Sequence, residues 1–411
     1  MNTTNHQLLS TTPNDRIISL DVLRGIAVLG ILIMNIQSFT MISAAYINPL
    51  AYGDFTGINK WIWLISHMLA SGKFMAIFSI LFGAGIILFT DRAIEKERLA
   101  GPLHYRRMFW LLVFGLLHAY LIWYGDILVS YALCGALAFI FRKMKPHKLM
   151  IIASVFLFIP VLLYLFFGYS IPFWPEEDYQ NNLESWLPTA EIIDSEIASY
   201  QVGWLEQMEF RIGKAIFMQT FLFLIQSFWR VMGLMLLGMA LFKWGVLSAI
   251  KSNSFYIKLS IFGLAVGYLI VGIGVFLNFR ANWQVDFSMF VGSQFNYIGS
   301  IAVALGYIGL VMLICKSACC MNFKKLMSSV GRMAFTNYIL MSVLAMFIFY
   351  GNGFGLFGRV ERAEQILFVI GIWLIILILS PVWLRNFNYG PLEWFWRVLT
   401  YWKKQTFRKS I

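Results

Sequence analysis

Long apolar stretches separated by short polar loops fill most of this chain of 411 residues. A membrane-spanning helix needs about 20 mainly apolar residues, and most of these stretches reach that length. Two of them are shorter and meet at Gly125 and Asp126, where the pattern predicts a tight hairpin. We therefore predict an all-α bundle of about ten transmembrane helices, built as a single polytopic domain over residues 1–411. The predicted spans are 20–42, 62–90, 108–124, 126–141, 149–170, 213–242, 255–279, 290–315, 333–350 and 364–384.

Two longer polar segments fall outside these spans. The first, 171–212, carries nine acidic residues and a single basic residue, Arg211. Its scattered apolar residues predict one or two amphipathic surface helices, which serve either as a lid over a site or as a solvated acidic cap. The second, 385–411, mixes aromatic and basic residues in GPLEWFWRVLTYWKK. This pattern is typical of an amphipathic helix in the membrane interface, so we expect the tail to bind membrane lipid.

Composition and charge narrow the class of protein and suggest its orientation. Hydrophobic residues make up 60% of the chain and charged residues 13%, whereas a soluble domain has about 25% charged residues. A soluble enzyme and a disordered protein are therefore excluded. The net charge of +12 does not indicate nucleic-acid binding, because Lys and Arg lie in short loops between apolar stretches. With ten spans all basic loops share one side, so the positive-inside rule predicts cytoplasmic termini and an extracytoplasmic segment 171–212.

Several polar residues lie within the first predicted span. A charge inside a bilayer costs roughly 2.5–3.5 kcal/mol on insertion scales, so it needs a partner or a function. Asp21 and Arg24 are three residues apart on one helical face, which predicts a structural ion pair, although Arg24 also lies near enough to the interface to extend into it. Asn35 lies on roughly the same face as Arg24, about 16 Å further along the helix. A buried Asn more often bonds a neighbouring helix than a substrate.

Polar residues also interrupt three later apolar stretches. His118 precedes Asp126 at the predicted hairpin, where it acts either as a general base oriented by the acid or as a structural histidine bonded to a carbonyl. Lys73 is too deep to reach the interface easily, so it needs an acid or a ligand anion, and Asp126 is one candidate partner. Arg230 divides 213–242, which is either one tilted helix facing a polar cavity, the alternative we favour, or two re-entrant halves. No zinc, phosphate-loop or haem motif is present, so we predict no metal site.

Five sequence motifs, in order over nearly the whole chain, are similar to those of one bacterial family. They are SLDVLRGIAVLGILIMNI at 19–36, KFMAIFSILFGAG at 73–85, GLLHAYLIWYGDILVSYALCG at 115–135, GRMAFTNY at 331–338 and GPLEWFWR at 390–397. The chain thereby resembles the YeiB-like family of bacterial multi-pass membrane proteins of unknown function, sometimes described as involved in transport. The resemblance implies a location in the bacterial cytoplasmic (inner) membrane.

The first motif also resembles a wider group, the transmembrane acyltransferases. In one branch of that group an Arg is followed, after ten residues, by a His; here Arg24 is followed by Asn35 at that distance. In a second branch the same place is similar to Asn and a His follows eleven residues later, where this chain has Tyr46. This resemblance covers chiefly the first two spans. It implies transfer of an acyl group across the membrane.

Our first hypothesis is therefore a transmembrane acyltransferase that moves an acyl group from a cytoplasmic thioester, such as acyl-CoA, to an envelope acceptor. In this scheme His118, oriented by Asp126, removes the acceptor proton, and Asn35 polarises the carbonyl group. No covalently bound cofactor is needed. The predicted donor- and substrate-binding residues are Arg24, Lys73, Arg106, Arg107 and Arg230.

Two alternatives stay open. One is a transporter or exporter of a small charged solute, with Lys73, Arg230 and Asp126 lining a cavity and the acidic segment gating it. The other is a lipid-organising or partner-binding protein without turnover, which the absence of a ligand-sized polar cavity would favour. The expected partners are membrane lipid and a small molecule, with no nucleic acid. The pattern leaves the oligomeric state open.

Overall fold

The computed structural model describes residues 17–409, and all regular secondary structure in that range is helical. The all-α prediction is confirmed for this part of the chain, whereas both termini, predicted to be cytoplasmic, lie outside it. An isolated antiparallel bridge joins Phe387 and Arg408. The helices are α1 (Ile18–Thr40), α2 (Ser43–Ile47), α3 (Gly57–Leu69), α4 (Lys73–Glu95), α5 (Ala100–Leu121), α6 (Leu128–Ala138), α7 (Pro146–Ser170), α8 (Glu176–Trp186), α9 (Ala190–Gln201), α10 (Met208–Gln219), α11 (Phe228–Lys243), α12 (Asn253–Arg280), α13 (Val285–Phe287), α14 (Ser293–Lys316), α15 (Met321–Arg332), α16 (Ala334–Phe349), α17 (Arg362–Asn386) and α18 (Pro391–Tyr401).

Seven helical segments within residues 17–409 are long and apolar enough to cross a membrane. An eighth results if α15 and α16, which meet at a bend of 77°, form one span. Helices α5 and α6 occupy the predicted spans 108–124 and 126–141 but are not among these eight. Helix α6 has 11 residues, which gives roughly 16 Å against a hydrocarbon core of about 30 Å. The chain is a multi-pass membrane protein, and the count of about ten spans stays a prediction. The seven segments are α1, α3–α4, α7, α10–α11, α12, α13–α14 and α17.

The predicted span 62–90 is not a continuous helix. It consists of α3 and α4, which are separated by residues 70–72. Gly72 has a φ of +76°, a left-handed conformation that only glycine adopts without strain. The break leaves carbonyl groups of α3 without helical partners.

Two other spans contain a π-helical turn. These turns, Phe223–Ser227 and Ser288–Gly292, directly precede α11 and α14. Such turns widen the helix locally and are frequent at functional sites. Arg230 follows the first of them within one apolar segment, Met208–Lys243. This arrangement is closer to the continuous helix that we favoured than to two separate halves.

Helix α1 passes through the centre of the bundle, and 17 of its 23 residues are buried. Its contact with α15 depends on glycine at Gly331, where a Cβ atom would lie 1.9 Å from the carbonyl oxygen of Asp21. Gly25 makes the reciprocal close approach to α15. Small residues at such contacts let two helix backbones approach closely, so α15 lies directly beside the start of α1.

The basic loops gather at one end of the bundle, which we call the basic end. The Ser19 hydroxyl donates to the Leu247 carbonyl at 2.9 Å and joins the start of α1 to the loop after α11. Arg106 donates to the Thr400 carbonyl at 3.1 Å and joins α5 to α18. Lys243 donates to the carbonyl groups of Arg142 and Met144 at 2.6 and 2.8 Å and joins the end of α11 to the basic loop before α7.

The segment 171–212 lies at the opposite end of α1, which we call the acidic end. It forms two short helices, α8 and α9, as its apolar pattern predicted. Trp186 of α8 donates its indole N–H to the Trp283 carbonyl at 2.8 Å. Glu196 of α9 accepts hydrogen bonds from the Ser43 N–H and hydroxyl at 3.0 and 2.6 Å. These contacts hold the acidic segment against the bundle.

Candidate functional site

A cavity of about 320 Å³ lies at the basic end, between α1, α4, α5, α6, α15, α16 and α18. Its lining is apolar and aromatic at depth and cationic toward the loops. Seven basic residues but two carboxylates line it. This excess of positive charge favours a negatively charged ligand. The basic residues are Arg24, Arg92, Lys96, Arg98, Arg107, Arg332 and Arg397.

Helix α4 forms the longest wall of the cavity. Its lining residues run from Phe78 to Ala93, a distance of roughly 22 Å along a helix. Helix α5 contributes Leu103, Arg107 and Leu111, which recur every four residues on one face. The length and small volume make the cavity narrow, so it suits an extended ligand with a charged end.

Aromatic rings hold two of the cavity arginines. The Arg107 guanidinium lies 4.6 Å from the Trp396 ring and 4.8 Å from the Phe89 ring. The Arg397 guanidinium lies 4.6 Å from the Tyr389 ring. Cation–π contacts of this kind orient a guanidinium without neutralising it, so the arginines keep their charge for a ligand.

The cavity arginines also act on one another. Arg107 lies directly before the predicted span 108–124. Burial lowers the pKa of Arg107 to about 10, and the positive charges of Arg397 and Arg24 contribute to this shift. The group is still charged at neutral pH. The three guanidinium groups are therefore close enough to repel each other, and an anion between them would relieve that repulsion.

Among residues 17–409 neither carboxylate of the lining forms an ion pair with Arg107 or Arg397. Asp21 pairs with Arg24 at 2.8 Å, the ion pair that the sequence predicted. Glu393 accepts hydrogen bonds from the N–H groups of Phe335 and Thr336 at 2.7 and 3.0 Å and from the Thr336 hydroxyl at 2.6 Å. A carboxylate is favourable at the start of a helix, here α16. Glu393 therefore fastens α18 across the cavity rather than pairing with a cation.

His118 and Asp126 come together beyond the deep end of the cavity. The Nδ1–H of His118 donates to Oδ1 of Asp126 at 2.8 Å, and the Val129 N–H donates to the other carboxylate oxygen at 2.7 Å. The two side chains are 1% and 0% exposed. Nε2 of His118 has no hydrogen-bond partner among the described residues. An imidazole oriented by a buried carboxylate, with its second nitrogen available, has the geometry of a general base.

One ring separates this dyad from the cavity. Tyr338 lines the cavity, and its ring centre lies 5.0 Å from that of His118. Ile127, which directly follows Asp126, also lines the cavity, and its N–H donates to the Tyr338 hydroxyl at 3.4 Å. Tyr131 completes the polar part of the deep end. The Tyr338 ring thus lies next to His118 and forms part of the cavity lining.

Asn35 does not line the cavity. It is partly buried and lies one helical turn before Phe39. The Phe39 ring stacks on Trp123 at 4.3 Å, and the Trp123 ring lies 6.3 Å from His118. Asn35 is therefore outside the cavity lining, and among residues 17–409 the hydrogen bonds of the dyad do not include it.

Lys73 belongs to a different cluster from the dyad. It is fully buried and donates to the His67 carbonyl at 2.8 Å and to Oδ1 of Asn296 at 2.7 Å. The partnership with Asp126 that the sequence allowed does not form, because Asp126 bonds His118 and Val129 instead. Lys73 thus satisfies a carbonyl group that the break after α3 leaves free.

Arg230 extends this second cluster. Its guanidinium donates to the Tyr297 carbonyl at 3.1 Å and to the Ser300 hydroxyl at 2.8 Å, and it lies 3.4 Å from the Gly72 carbonyl. Within residues 17–409 the ion pairs do not include Arg230 or Lys73. Both cations therefore rely on neutral oxygen atoms at interrupted helices, and neither lines the basic cavity.

Four residues of the site were not singled out from the sequence: Tyr131, Tyr338, Glu393 and Arg397. All four lie inside the quoted motifs, so a signal was present. A tyrosine in an apolar stretch is typical of a helix packed in the core, and a basic aromatic tail is typical of a lipid anchor, so neither pattern predicts a cavity. The structure instead packs one face of α18 on α5, where Trp396 donates to the Arg107 carbonyl at 3.0 Å.

Comparison with known proteins shows to which family the chain belongs. The chain is 33% identical to the uncharacterized protein YxaH of Bacillus subtilis, with 98% of each chain aligned. It is 32% identical to the uncharacterized protein YeiB of Escherichia coli, over 94% of this chain and 96% of that protein. The chain belongs to the YeiB-like family. The family prediction from the five motifs is therefore confirmed.

Other comparisons agree with this family. An uncharacterized 39.9 kDa protein in the amylase 3′ region of Bacillus acidopullulyticus is 28% identical over 95% of each chain. A family described as "Protein of unknown function (DUF418)" matches residues 241–403. That match includes Tyr338 and Arg397 of the cavity but not the dyad. No solved structure matches the chain.

Proposed function

We propose that this protein is an acyltransferase of the bacterial cytoplasmic membrane. It would take an acyl group from a cytoplasmic thioester such as acyl-CoA and pass it to an acceptor in the cell envelope. The observation that carries this proposal is the cavity of about 320 Å³, which is cationic at the basic end and approaches the His118–Asp126 dyad at depth. The positive-inside rule would put the basic end in the cytoplasm, where the donor is found.

Acyl-CoA has the charge distribution that this cavity favours. Its phosphate groups form one strongly negative end, and its thioester lies at the end of a long uncharged arm. The phosphates would bind Arg24, Arg107 and Arg397, because guanidinium groups bind phosphate through paired hydrogen bonds. The arm would follow α4 toward Tyr131 and Tyr338.

His118 would act as the general base in the transfer step. The acceptor oxygen or nitrogen attacks the thioester carbonyl carbon while its proton passes to Nε2 of His118. The new C–O or C–N bond forms, the C–S bond breaks, and the imidazolium returns the proton to the departing thiolate. Asp126 keeps Nδ1 protonated and stabilises the imidazolium. Polarisation of the carbonyl by Asn35 stays a prediction, and the Tyr338 hydroxyl is a second candidate for that task.

Binding of acetyl-CoA to the purified, detergent-solubilised protein tests the donor site. We expect saturable binding to the wild type and binding about tenfold weaker in Arg24→Gln and in Arg397→Gln, because each loses a charged hydrogen bond to phosphate. The matched control is Lys325→Gln, which removes an exposed charge of α15 outside the cavity. Absence of binding, or an equal loss in the control, would contradict the proposed site.

Transport of a small charged solute is the second candidate function. Two buried cations without a carboxylate partner, Lys73 and Arg230, lie at interrupted helices, and discontinuous helices often form ion sites in transporters. Uptake of labelled acetate or phosphate into proteoliposomes tests this candidate. Unchanged uptake in Lys73→Met would exclude it. A lipid-organising protein without turnover is less well supported, because a ligand-sized cavity is present.

A further inference from the structure

Lys73 and Arg230 form a buried pair of positive charges, which we call the Lys73–Arg230 cluster. Lys73 is 0% exposed and Arg230 is 5% exposed. Lys73 directly follows Gly72 in the chain, and Nη2 of Arg230 lies 3.4 Å from the Gly72 carbonyl oxygen. The charge of Arg230 also acts on Lys73. The two cations therefore share one position in the bundle, at the break between α3 and α4.

Acidic side chains do not balance these two charges within residues 17–409. Neither cation takes part in an ion pair in that range. The side chains that act electrostatically on Arg230 are tyrosines rather than carboxylates. A buried charge is strongly unfavourable unless an opposite charge lies near it, because neutral groups replace only part of its lost hydration. The Lys73–Arg230 cluster therefore calls for an anion.

Arg230 cannot relieve this cost by losing its proton, because a guanidinium group stays protonated in proteins. It lies inside the spanning segment Met208–Lys243, shortly after a π-helical turn. Ionisable residues at such a depth pair with an opposite charge or mark the path of an ion. The carbonyl and hydroxyl oxygens around Arg230 accept its hydrogen bonds but carry no net charge. At least one full positive charge is thus uncompensated among the described residues.

Both cations also keep N–H groups for a further acceptor. A lysine has three N–H donors and an arginine has five. Among the described residues, Lys73 makes two hydrogen bonds and Arg230 makes three, all to oxygen atoms. Each cation therefore has at least one donor left. So few donors suit a small anion with a single acceptor atom better than a phosphate or a carboxylate, whose several oxygens all need partners.

The Lys73–Arg230 cluster is not sealed from its surroundings. Ser71, Gly72 and Asn296 are only partly buried, and the Asn296 amide donates to the Ser71 hydroxyl at 3.2 Å. Tyr46, whose side chain acts electrostatically on Arg230, is 44% exposed. A small ion can therefore approach the cluster between these residues.

We propose that a small monovalent inorganic anion of the size of chloride binds between Lys73 and Arg230 as a resident part of the fold. This inference goes beyond the proposed acyl transfer and does not depend on it. It also differs from transport, because the ion stays bound. The ion would join three spanning segments, since Lys73 belongs to α4 and Arg230 to α11, and their partners Asn296 and Ser300 belong to α14.

Thermal unfolding of the full-length protein in detergent tests this assignment. Sodium chloride is exchanged stepwise for sodium gluconate at constant ionic strength, because gluconate is too large for the cluster. An ion that binds only the folded protein raises Tm in a concentration-dependent way. We expect a saturable rise of Tm with chloride in the wild type. Arg230→Gln should weaken the apparent affinity for chloride about tenfold, because a charged hydrogen bond is lost.

Asn296→Asp is the sharper variant. Oδ1 of Asn296 lies 2.7 Å from Nζ of Lys73, so this substitution places a carboxylate where the anion's charge is needed. In gluconate the variant should unfold at or above the Tm of the wild type, and its apparent affinity for chloride should be at least about tenfold weaker. The matched control is Asn322→Asp, at an exposed position of α15, which should keep the wild-type response to chloride.

Chloride could also bind the arginines of the basic cavity, and Arg397→Gln separates the two locations. This variant should keep the full response to chloride. Four results would overturn the proposal. They are no saturable rise of Tm in the wild type, a rise that persists undiminished in both Arg230→Gln and Asn296→Asp, a rise that disappears in Arg397→Gln, and an Asn296→Asp protein that does not fold. The last result counts because a carboxylate beside two unpaired cations should be favourable.

Discussion

The bundle contains two buried clusters of polar side chains, and they differ in how completely their hydrogen bonds are satisfied. Lys73 and Arg230 direct their donors to carbonyl, amide and hydroxyl oxygens of neighbouring helices. His118 bonds its acid through one nitrogen and leaves the other without a partner. Both groups carry charge inside an apolar bundle, so buried charge alone does not identify a reactive site. A buried polar atom that lacks a hydrogen-bond partner and lies near a cavity is a more specific indication of a reactive site.

The local helix geometry explains this difference. Lys73 begins α4 directly after the break that ends α3, and the Arg230 side chain of α11 reaches the Gly72 carbonyl at the same break. Helix ends leave carbonyl oxygens unpaired and partly negative. Cations at that point stabilise the interruption. Asp126 lies before α6 and bonds the Val129 N–H, so the start of that helix orients the carboxylate. The carboxylate in turn orients His118.

The largest effect we expect is a lower rate of acyl transfer in His118→Gln. Removal of a general base lowers a rate by about 10²–10⁴-fold. Loss of the Nδ1–Asp126 hydrogen bond should also lower the free energy of unfolding by about 1–3 kcal/mol, so rates are compared per folded molecule. The measurement is release of the free thiol from acetyl-CoA, with water as the acceptor. The control is His104→Gln, which alters a fully buried histidine of the same helix bonded to the Gly135 carbonyl at 3.0 Å. Equal losses in both variants would argue against a special function of His118.

Lys73→Met should lower the stability of the protein and leave its activity largely unchanged. It leaves the His67 carbonyl and the Asn296 amide without their donor, which costs about 1–3 kcal/mol for each buried acceptor. Unfolding midpoints of the purified protein should fall, while thiol release per folded molecule stays near the wild-type value. Lys325→Met, at an exposed position of α15, is the matched control for loss of a lysine. A stable but inactive Lys73→Met protein would indicate that the Lys73–Arg230 cluster takes part in the reaction.

Asp126→Asn should have an intermediate effect on thiol release. The amide keeps an oxygen for the Val129 N–H but no longer stabilises an imidazolium at His118, so we expect roughly a ten- to hundredfold lower rate. Acetyl-CoA binding should be unchanged, since Asp126 does not line the cavity. A rate equal to that of the wild type would show that the dyad is structural.

The smallest effect concerns His104 and pH. Burial lowers the pKa of His104 to about 4, so the folded protein keeps this group neutral while the unfolded chain binds a proton below about pH 6.5. Stability should therefore fall as pH decreases from about 6.5 to 4, by at most about 3 kcal/mol from this group. His104→Gln should flatten the pH dependence of Tm over that range. Identical profiles for the two proteins would contradict the assignment.

Sequence alone determined the class of this protein because hydrophobicity and helix length are local properties. Apolar stretches of spanning length predicted a multi-pass all-α membrane protein, and five motifs predicted its family. The apolar pattern of 171–212 also predicted α8 and α9 correctly. The pair Asp21–Arg24 was predictable for the same reason, since its partners lie one turn apart on one helix.

Tertiary structure alone decided the partners of the other buried charges. Lys73 meets Asn296, 223 residues away, and no local pattern favours that residue over Asp126. The cavity likewise combines seven helices from both halves of the chain, including a tail whose pattern is typical of a lipid anchor. A side chain's charge and polarity are set by its own chemistry, whereas its hydrogen-bond partners depend on which helices become neighbours. That is why the candidate residues were visible in the sequence but their separation into the His118–Asp126 dyad and the Lys73–Arg230 cluster was not.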